Sequence, residues 1–230
     1  MEEHTPEIEG VQIVLVGSFN PAILHPSWLA ARGLIRAEEA SEEAIGADML
    51  VSRQLTTFRL SWLQLQVTDD RFVAETSDPS HFATLQELVL GVFHDLEFTP
   101  ISLMGLNHHM HFSMATEEEG HALGDALAPK ERWLSLFDGP QRDRAPGLRT
   151  LVVEGKRPAA SSKITRVKVE PSARIVPGVF IETNDHYEST LKDSPAEAMS
   201  WLRECWSEVR SFSRSVGEQI LSGEPEQGTR

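Results

Sequence analysis

Three histidines stand close together in residues 107–111, which read Asn-His-His-Met-His and form the densest cluster of histidines in the chain. The surrounding residues alternate between apolar and polar, which predicts a β-strand over residues 101–114. Since alternate residues of a strand point to the same side, His109 and His111 share a polar face with Asn107. His108 falls on the apolar face and is expected to be a core histidine.

Two kinds of chemistry fit the His109 and His111 pair. The two imidazoles could hold a divalent metal, with a third ligand from Glu182, Asp185 or His186. They could instead act as general acid and base on a phosphoester or acyl bond, because imidazole titrates near neutrality. Two ligands without a third at metal-site spacing favour a simpler interpretation, in which the pair lines a solvated sheet face and no cofactor is bound.

No established catalytic motif supports either chemistry. The chain has no G-x-S-x-G, P-loop, G-x-G-x-x-G or H-E-x-x-H pattern. Residues 184–186 read Asn-Asp-His, which is more typical of a turn than of a catalytic corner. The sequence therefore leans away from an enzyme.

The charge of the chain bears on its partners. The formal net charge is −14, from 21 Lys and Arg against 35 Asp and Glu. A field of this sign repels phosphate backbones, which argues against sequence-independent binding of nucleic acid and favours a basic protein partner or self-association. Two candidate partner-binding surfaces are an acidic run on a predicted exposed helix over residues 36–47 and a basic hairpin near the C-terminal half: Glu38, Glu39, Glu42 and Glu43; Lys163, Arg166 and Lys168.

The same basic hairpin has a simpler interpretation, in which Lys and Arg protect an exposed edge strand against aggregation. Cys205 is the only cysteine, so no disulfide forms within the chain, and its helical spacing predicts a buried apolar role. No apolar run reaches the roughly 20 residues that span a bilayer. Because the first ten residues are acidic and unlike a signal peptide, a cytoplasmic protein without membrane partners is expected.

Hydrophobic periodicity predicts the elements that position the histidines. An interior strand is expected over residues 11–18, a hairpin over 58–76 and an amphipathic helix over 80–98. The first strand of that hairpin, residues 58–68, changes its apolar side at Trp62 and Leu63, which indicates either a bulge or a change in the covering layer. Three further strand-like runs follow at 148–154, 163–169 and 179–183. A capping-box pattern at 194–197 then opens a long helix that Gly223 ends.

These elements predict an α+β fold with mainly antiparallel sheet, in one sheet or two, and two long amphipathic helices packed on one face. The second half repeats the strand and helix order of the first, so two loosely duplicated β-β-β-α halves are one interpretation. The predicted organisation is a flexible acidic arm at 1–10, a first α+β half at 11–137, a loop or linker at 138–147, a second half at 148–223 and a flexible tail at 224–230.

Four segments of the chain resemble a sporadically distributed family of uncharacterised bacterial proteins. They are LQLQVTDDRFVAE, FATLQELVLGVFHDL, GLNHHMHF and the late strand VFIETNDHYE before a long closing helix. Where the family tends to read glycine, an apolar residue and then Arg-Tyr-Ile-Asn, this chain reads Gly-Leu-Asn-His-His-Met-His from Gly105. The resemblance implies an α+β fold and a bacterial origin, and it brings no activity, cofactor or catalytic residue.

The function favoured at this point is a non-enzymatic interaction protein, an accessory subunit of a bacterial cytoplasmic system. A role in defence or toxin neutralisation would suit the sporadic distribution that the resemblance implies. One alternative is a His-based or metal-dependent hydrolase centred on His109 and His111. Another is a small-ligand binding module between sheet and helices, walled by Trp62, Trp201 and Trp206, although core packing explains those three rings more simply.

Overall fold

Nine strands form one antiparallel sheet in the computed structural model, which describes residues 4–41, 49–130, 133, 136, 147–157 and 164–223. The order across the sheet is β2-β3-β4-β5-β1-β6-β9-β8-β7. The strands are β1 (Ile8–Gly17), β2 (Leu50–Val51), β3 (Leu55–Arg59), β4 (Gln64–Thr68), β5 (Arg71–Thr76), β6 (Ile101–Ser113), β7 (Leu151–Gly155), β8 (Ile164–Pro171) and β9 (Gly178–Glu188). The structure confirms the α+β class and the antiparallel sheet, and it places both halves of the chain in that one sheet.

Four α-helices accompany the sheet within the described ranges: α1 (Pro26–Ala31), α2 (Phe82–Asp95), α3 (Glu117–Leu127) and α4 (Ala196–Ser222). Single 3-10 turns lie at Pro21–Ile23, Ala37–Ala40 and Pro79–His81. The side chain of Asp78 caps the last of these turns by accepting a hydrogen bond from the Ser80 amide at 2.9 Å. Helix α4 ends at Gly223, which takes the left-handed conformation with φ of +68° that favours glycine.

The hydrophobic core lies on one face of the sheet, under the helices. Its larger part joins β1, β3, β4, β5 and β6 to α2 and the first half of α4, through side chains such as Leu85, Val89 and Leu202. A smaller part joins Met110 and Ile181 to α3 and the second half of α4. No described helix packs on the opposite side of the sheet, which carries Gln12, Glu75, Asn107, His109 and Asn184 and is called the open face below.

Strands β1 and β6 form the centre of the sheet and pair antiparallel, with Gln12 opposite Asn107. Outward from β1 come β5, β4, β3 and the two-residue edge strand β2, and outward from β6 come β9, β8 and β7. The chain leaves β5 for α2 and leaves β9 for α4. The order of connection is therefore similar on both sides of the central pair.

The structure corrects the strand predicted over residues 58–68. Two strands, β3 and β4, replace it, and the chain reverses between them, where the Leu60 amide donates to the Leu63 carbonyl at 2.7 Å. The apolar side therefore changes at Trp62 and Leu63 because the chain turns there, and not because of a bulge or a change in the covering layer. Both side chains are buried because the turn itself packs on the core.

Two predictions near the C-terminus are also wrong. The strand expected at 179–183 continues to Glu188, so Asn184, Asp185 and His186 lie within β9 and not in a turn. The capping box expected at 194–197 does not form, because Glu197 accepts hydrogen bonds from the amides of Thr190 and Leu191, at 2.7 and 3.1 Å. Glu197 therefore fastens the preceding loop to the helix.

Some predictions fall on residues that the structure does not describe. Of the helix predicted at 36–47, the described part contains only the 3-10 turn Ala37–Ala40, and residues 42–48 lie outside the described ranges. The predicted loop at 138–147 lies outside them except for Gly147. Cys205 is 5% exposed, as its helical spacing predicts. None of the helices in the described ranges has the length and hydropathy of a membrane span.

Candidate functional site

A hydrogen-bonded row of amides crosses the middle of the open face. Strand register places Glu75, Gln12, Asn107 and Asn184 side by side on β5, β1, β6 and β9. Asn184 Nδ2 donates to Asn107 Oδ1, Asn107 Nδ2 donates to Gln12 Oε1 at 2.8 Å, and Gln12 Nε2 donates to Glu75 Oε2 at 2.9 Å. Every amide in this row, the amide ladder, donates towards β5, so the ladder ends on a carboxylate.

A cavity of about 300 Å³ lies on the open face beside the amide ladder. Its lining combines three carboxylates, two imidazoles, two amides, one aromatic ring and one arginine: Glu75, Glu170, Glu182, His109, His111, Gln12, Asn107, Phe180 and Arg174, with Ala173. This cavity is called the central pocket. It contains four of the six residues that the sequence predicted for a metal or catalytic site: Asn107, His109, His111 and Glu182.

His109 lies in the floor of the central pocket, opposite Gly10 on β1 and Glu182 on β9. A Cβ atom at position 10 would lie 2.2 Å from His109 Nε2, so the imidazole occupies the space that glycine leaves free. Burial lowers the pKa of His109 to about 4. His109 is therefore a neutral imidazole near pH 7, with one nitrogen able to accept a hydrogen bond.

His111 is 6% exposed and held on two sides. Its Nδ1 lies 2.8 Å from Ser172 Oγ, and its ring centre lies 4.8 Å from that of Phe180. Burial lowers the pKa of His111, and the charge of Arg174 lowers it further. His111 therefore contributes a packed wall to the pocket.

Glu182 faces the central pocket between His109 on β6 and Lys168 on β8. Burial raises the pKa of Glu182, and the nearby carboxylates Glu170 and Glu75 raise it further, against the opposite effect of Lys168. The Lys168 ammonium is bound to Glu170 at 2.8 Å. The carboxylate of Glu182 receives no hydrogen bond from any residue that the structure describes, so its charge is the least compensated in the pocket.

Arg174 enters the pocket from the loop between β8 and β9. The loop is fixed by Ser172, whose hydroxyl accepts hydrogen bonds from the amides of Arg174 and Ile175 at 3.1 and 2.9 Å. Among the described residues the guanidinium of Arg174 makes no ion pair. Neither Arg174 nor Glu75 was recognised in the sequence, because neither stands near the histidines in the chain.

The predicted metal site is only partly assembled. His186 lies on β9 four residues from Glu182, which corresponds to about 13 Å along a strand. Its neighbours across the sheet are Gly105 and Ile164. In the described ranges no three His, Cys, Asp or Glu side chains are grouped as a metal site requires. His186 thus takes no part in the pocket that contains His109, His111 and Glu182, and neither does Asp185, which is buried on the helix-covered side of the sheet.

The predicted partner-binding residues are dispersed. Glu38 is exposed, whereas Glu39 accepts hydrogen bonds from the Arg36 amide and Trp62 Nε1, both at 2.8 Å. Arg166 and Lys168 lie on the open face of β8, one strand inside the edge strand β7, and each is bound to a neighbouring glutamate. Glu42, Glu43 and Lys163 lie outside the described residues.

The tryptophans suggested as a ligand-binding wall are packed against other groups. Trp62 and Trp206 are each 6% exposed. The ring of Trp62 stacks on His81 with centres 5.2 Å apart, and Trp201 packs on Tyr187 at 5.4 Å. Core packing therefore accounts for all three rings.

Two buried ionic clusters lie on the helix-covered side. In the first, His108 is fully buried and its Nε2 lies 2.7 Å from Glu9 Oε1. Arg214 on α4 donates to both oxygens of Glu9, at 3.1 and 2.9 Å. Burial by itself raises the pKa of Glu9, but the hydrogen bonds and charges of His108 and Arg214 outweigh burial and lower the pKa to about 2. His108 is the core histidine that the sequence predicts. Its carboxylate partner lies in β1, so the prediction of a flexible arm at 1–10 is wrong for residues 8–10.

The second cluster joins β8, β9, α4 and the residues after β7. Asp185 is fully buried and accepts a hydrogen bond from Thr165 and one from Arg157, the latter at 2.7 Å. The Arg157 guanidinium also lies over the Phe212 ring at 4.1 Å and contacts Glu208. Opposing charges of Asp185 and Glu208 raise the pKa of Arg157 although burial lowers it. Both clusters fasten α4 to the sheet, which distinguishes them from the pocket on the other side.

Comparison with known proteins assigns this chain to no family: no family model matches it, and a search of curated proteins finds no match. The chemistry of the open face is therefore the basis for a functional proposal.

Proposed function

We propose that this chain is a non-enzymatic interaction protein, an accessory subunit of a bacterial cytoplasmic system that binds another protein on the open face of its sheet. The proposal rests on the difference between the two faces of the sheet. Helices α2, α3 and α4 cover one face, whereas the other presents the amide ladder and the central pocket, and no described helix covers it. A broad sheet face with spare polar groups provides the area and the hydrogen bonds that a protein interface uses.

The acidity of the chain favours a basic partner. A net charge of −14 raises the encounter rate with a positively charged protein and disfavours nucleic acid. The ion pairs of Arg166 with Glu154 and of Lys168 with Glu170 leave little uncompensated positive charge on the outer strands of this face. A basic segment would thus be attracted to the middle of the sheet, where the three carboxylates of the pocket outnumber the one guanidinium, that of Arg174.

We also infer that the two halves are loosely duplicated units. The support is the similar order of connection around β1 and β6: β2 to β5 follow β1 and β7 to β9 follow β6, and each set leads into a long helix. The binding face is then built from equivalent strands of both units. In this interpretation β6 begins the second unit, earlier in the chain than the predicted boundary.

The proposal predicts that large side chains on the open face weaken partner binding. Gln66 on β4 and Arg166 on β8 are exposed on this face, so the Gln66→Trp and Arg166→Trp double variant adds an indole on each side of the pocket. A double variant of α4, Arg203→Trp and Ser207→Trp, adds two indoles and removes one positive charge in the same way. Tagged chains are used to capture interacting proteins, and the amount of each protein retained is measured by quantitative mass spectrometry.

The expected result is a protein retained by the wild type and the α4 variant and depleted about tenfold or more by the open-face variant, a difference of about 1.4 kcal/mol. Equal retention by both variants would place the interface elsewhere. Retention of nothing above the tag alone would contradict the interaction function itself.

A second candidate function is a hydrolase that uses His109 and Glu182. The observation in its favour is that a neutral imidazole and a carboxylate of raised pKa face each other across β6 and β9, an arrangement common in acid–base catalysis. A screen of phosphoester and acyl substrates should then detect turnover that falls at least about 100-fold in the His109→Ala and His111→Ala double variant. Metal content measured on the same two preparations shows whether a metal is involved. No turnover above buffer with any substrate would count against this candidate.

A further inference from the structure

Several hydrogen-bond acceptors around Glu182 are unused in the part of the chain that the structure describes. Each amide of the ladder already uses one N–H to donate towards β5. The acceptors left over are both oxygens of Glu182, the Oδ1 atom of Asn184 and the unprotonated nitrogen of the neutral His109, and none of them receives a hydrogen bond from the described part of the chain. A group with several N–H donors and no acceptor would complement this set.

The charges in the central pocket also favour a cationic ligand. Three carboxylates line it, Glu75, Glu170 and Glu182. Lys168 is bound to Glu170, and neither Lys168 nor Arg174 forms an ion pair with Glu182 among the described residues. Glu182 is half-buried, and a partly buried carboxylate without an ion-pair partner is unfavourable, so the pocket gains free energy when a cation enters beside Glu182.

We propose that the central pocket binds the cationic side chain, lysine or arginine, of a basic polypeptide segment lying on the open face. The ammonium or guanidinium contacts Glu182 and His109, and the aliphatic part of the side chain lies against Phe180. The pocket volume of about 300 Å³ accommodates one such side chain. This inference rests on the proposed function, since it takes a protein as the source of the cation.

The aromatic part of the pocket supports a cationic side chain over a bare metal ion. Phe180 forms one wall with His111, and the Lys168 ammonium already lies 5.3 Å from the centre of the Phe180 ring. An aromatic face attracts an alkylammonium or guanidinium and favours its apolar stem, whereas a hydrated metal ion gains nothing from that wall. The contact of Lys168 with Phe180 is thus of the kind that a partner's lysine would make.

The test uses the full-length ¹⁵N-labelled chain and three capped peptides that differ at one central residue: lysine, arginine or norleucine. Norleucine keeps the aliphatic stem and lacks the charge. The variants are Glu182→Gln, which neutralises the pocket carboxylate, and Glu188→Gln, which makes the same change on the same face of β9 outside the pocket. Each titration is followed by two-dimensional NMR at the Gly10 amide, the His109 amide and the Asn184 side-chain amide.

We expect the lysine and arginine peptides to shift these three signals and the norleucine peptide to leave them unchanged. Glu182→Gln should lower the affinity for the lysine and arginine peptides at least about tenfold, while Glu188→Gln changes that affinity less than about twofold. The melting temperature of Glu182→Gln should equal or exceed that of the wild type, because the variant removes an uncompensated charge. A fall in melting temperature would show that the carboxylate has a structural partner.

Three results would overturn the inference: equal binding of the norleucine peptide, equal weakening by both glutamine variants, or shifts confined to other parts of the chain. Tighter binding of spermidine than of the lysine peptide would assign the pocket to a free polyamine. This test of the pocket can fail while the proposed interaction function holds. If the tryptophan variants lose a captured protein and Glu182→Gln retains it at full affinity, the open face binds a partner but the pocket does not bind its cation.

Discussion

Replacement of Glu9 by glutamine is expected to lower the free energy of unfolding by about 3 kcal/mol at pH 7, although position 9 is far from the pocket. The Glu9 carboxylate is 6% exposed and accepts hydrogen bonds from His108 and Arg214. The neutral amide keeps the shape of the carboxylate and removes its charge. His108 and Arg214 then contact a neutral amide in place of the carboxylate that accepted their hydrogen bonds.

The same interaction predicts how acid unfolds the protein. The pKa of Glu9 falls from 4.5 to about 2 on folding, a shift that corresponds to about 3 kcal/mol. Because the folded-state pKa is the lower one, this stabilisation is complete above about pH 4.5 and is lost as the pH falls towards 2. Urea unfolding at a series of pH values should therefore show a steep loss of stability in this window for the wild type and a shallower loss for Glu9→Gln.

Glu7→Gln is the matched control for this prediction. Glu7 lies two residues earlier on the same segment and is exposed, so its substitution should leave both the stability and the pH profile nearly unchanged. If Glu9→Gln and the wild type lose stability in parallel between pH 4.5 and 2, the buried cluster is not the source of the acid sensitivity.

Asp185→Asn is expected to cost about 3 kcal/mol, through the other buried cluster. Asp185 is fully buried, and the Arg157 side chain that it binds is only 13% exposed. Without the carboxylate, the guanidinium keeps Glu208 as its one ionic partner among the described residues while remaining largely out of water. Equilibrium unfolding in urea at pH 7 measures this loss directly.

The chain supplies an internal control, because Arg157 contacts a second carboxylate in a different environment. The Glu208 side chain is 48% exposed, so Glu208→Gln should cost less than about 1 kcal/mol. Equal losses in Asp185→Asn and Glu208→Gln would mean that burial does not determine the strength of these two contacts.

Periodicity predicts the faces of the strands better than their ends. The alternation around the histidines assigns His108 to the core and His109 and His111 to the other face, and the structure agrees because side-chain direction in a strand depends only on parity. The turn after Arg59 escapes notice because Ser61-Trp62-Leu63 lacks the glycine, proline or asparagine that usually marks a reversal. Asn184 and Asp185 are the converse case, because these residues usually mark a turn but lie in a strand. Cross-strand hydrogen bonds and Arg157 hold them there.

The local part of the candidate site could be predicted, and from the rest of the chain only Glu182 was named, as one of three candidate ligands. The two histidines and Asn107 share one strand, so their spacing reveals their common face. Glu75 and Arg174 reach the same pocket from β5 and from the loop before β9, positions that depend on the order of strands across the sheet. A single sequence contains no signal for that order, and the pairing of Glu9 with His108 depends on it in the same way.

The central position of β1 and β6 determines when the sheet can be completed during synthesis. Gln12 and Asn107, hydrogen-bonded across this pair, are 95 residues apart in the chain. Closing so long a loop is entropically costly, and proteins dominated by such distant contacts fold slowly. As the chain leaves the ribosome, β1 emerges long before β6, and until β6 arrives its inner edge carries unpaired backbone groups. The strand at the heart of the finished sheet is therefore the one most exposed to aggregation in the nascent chain.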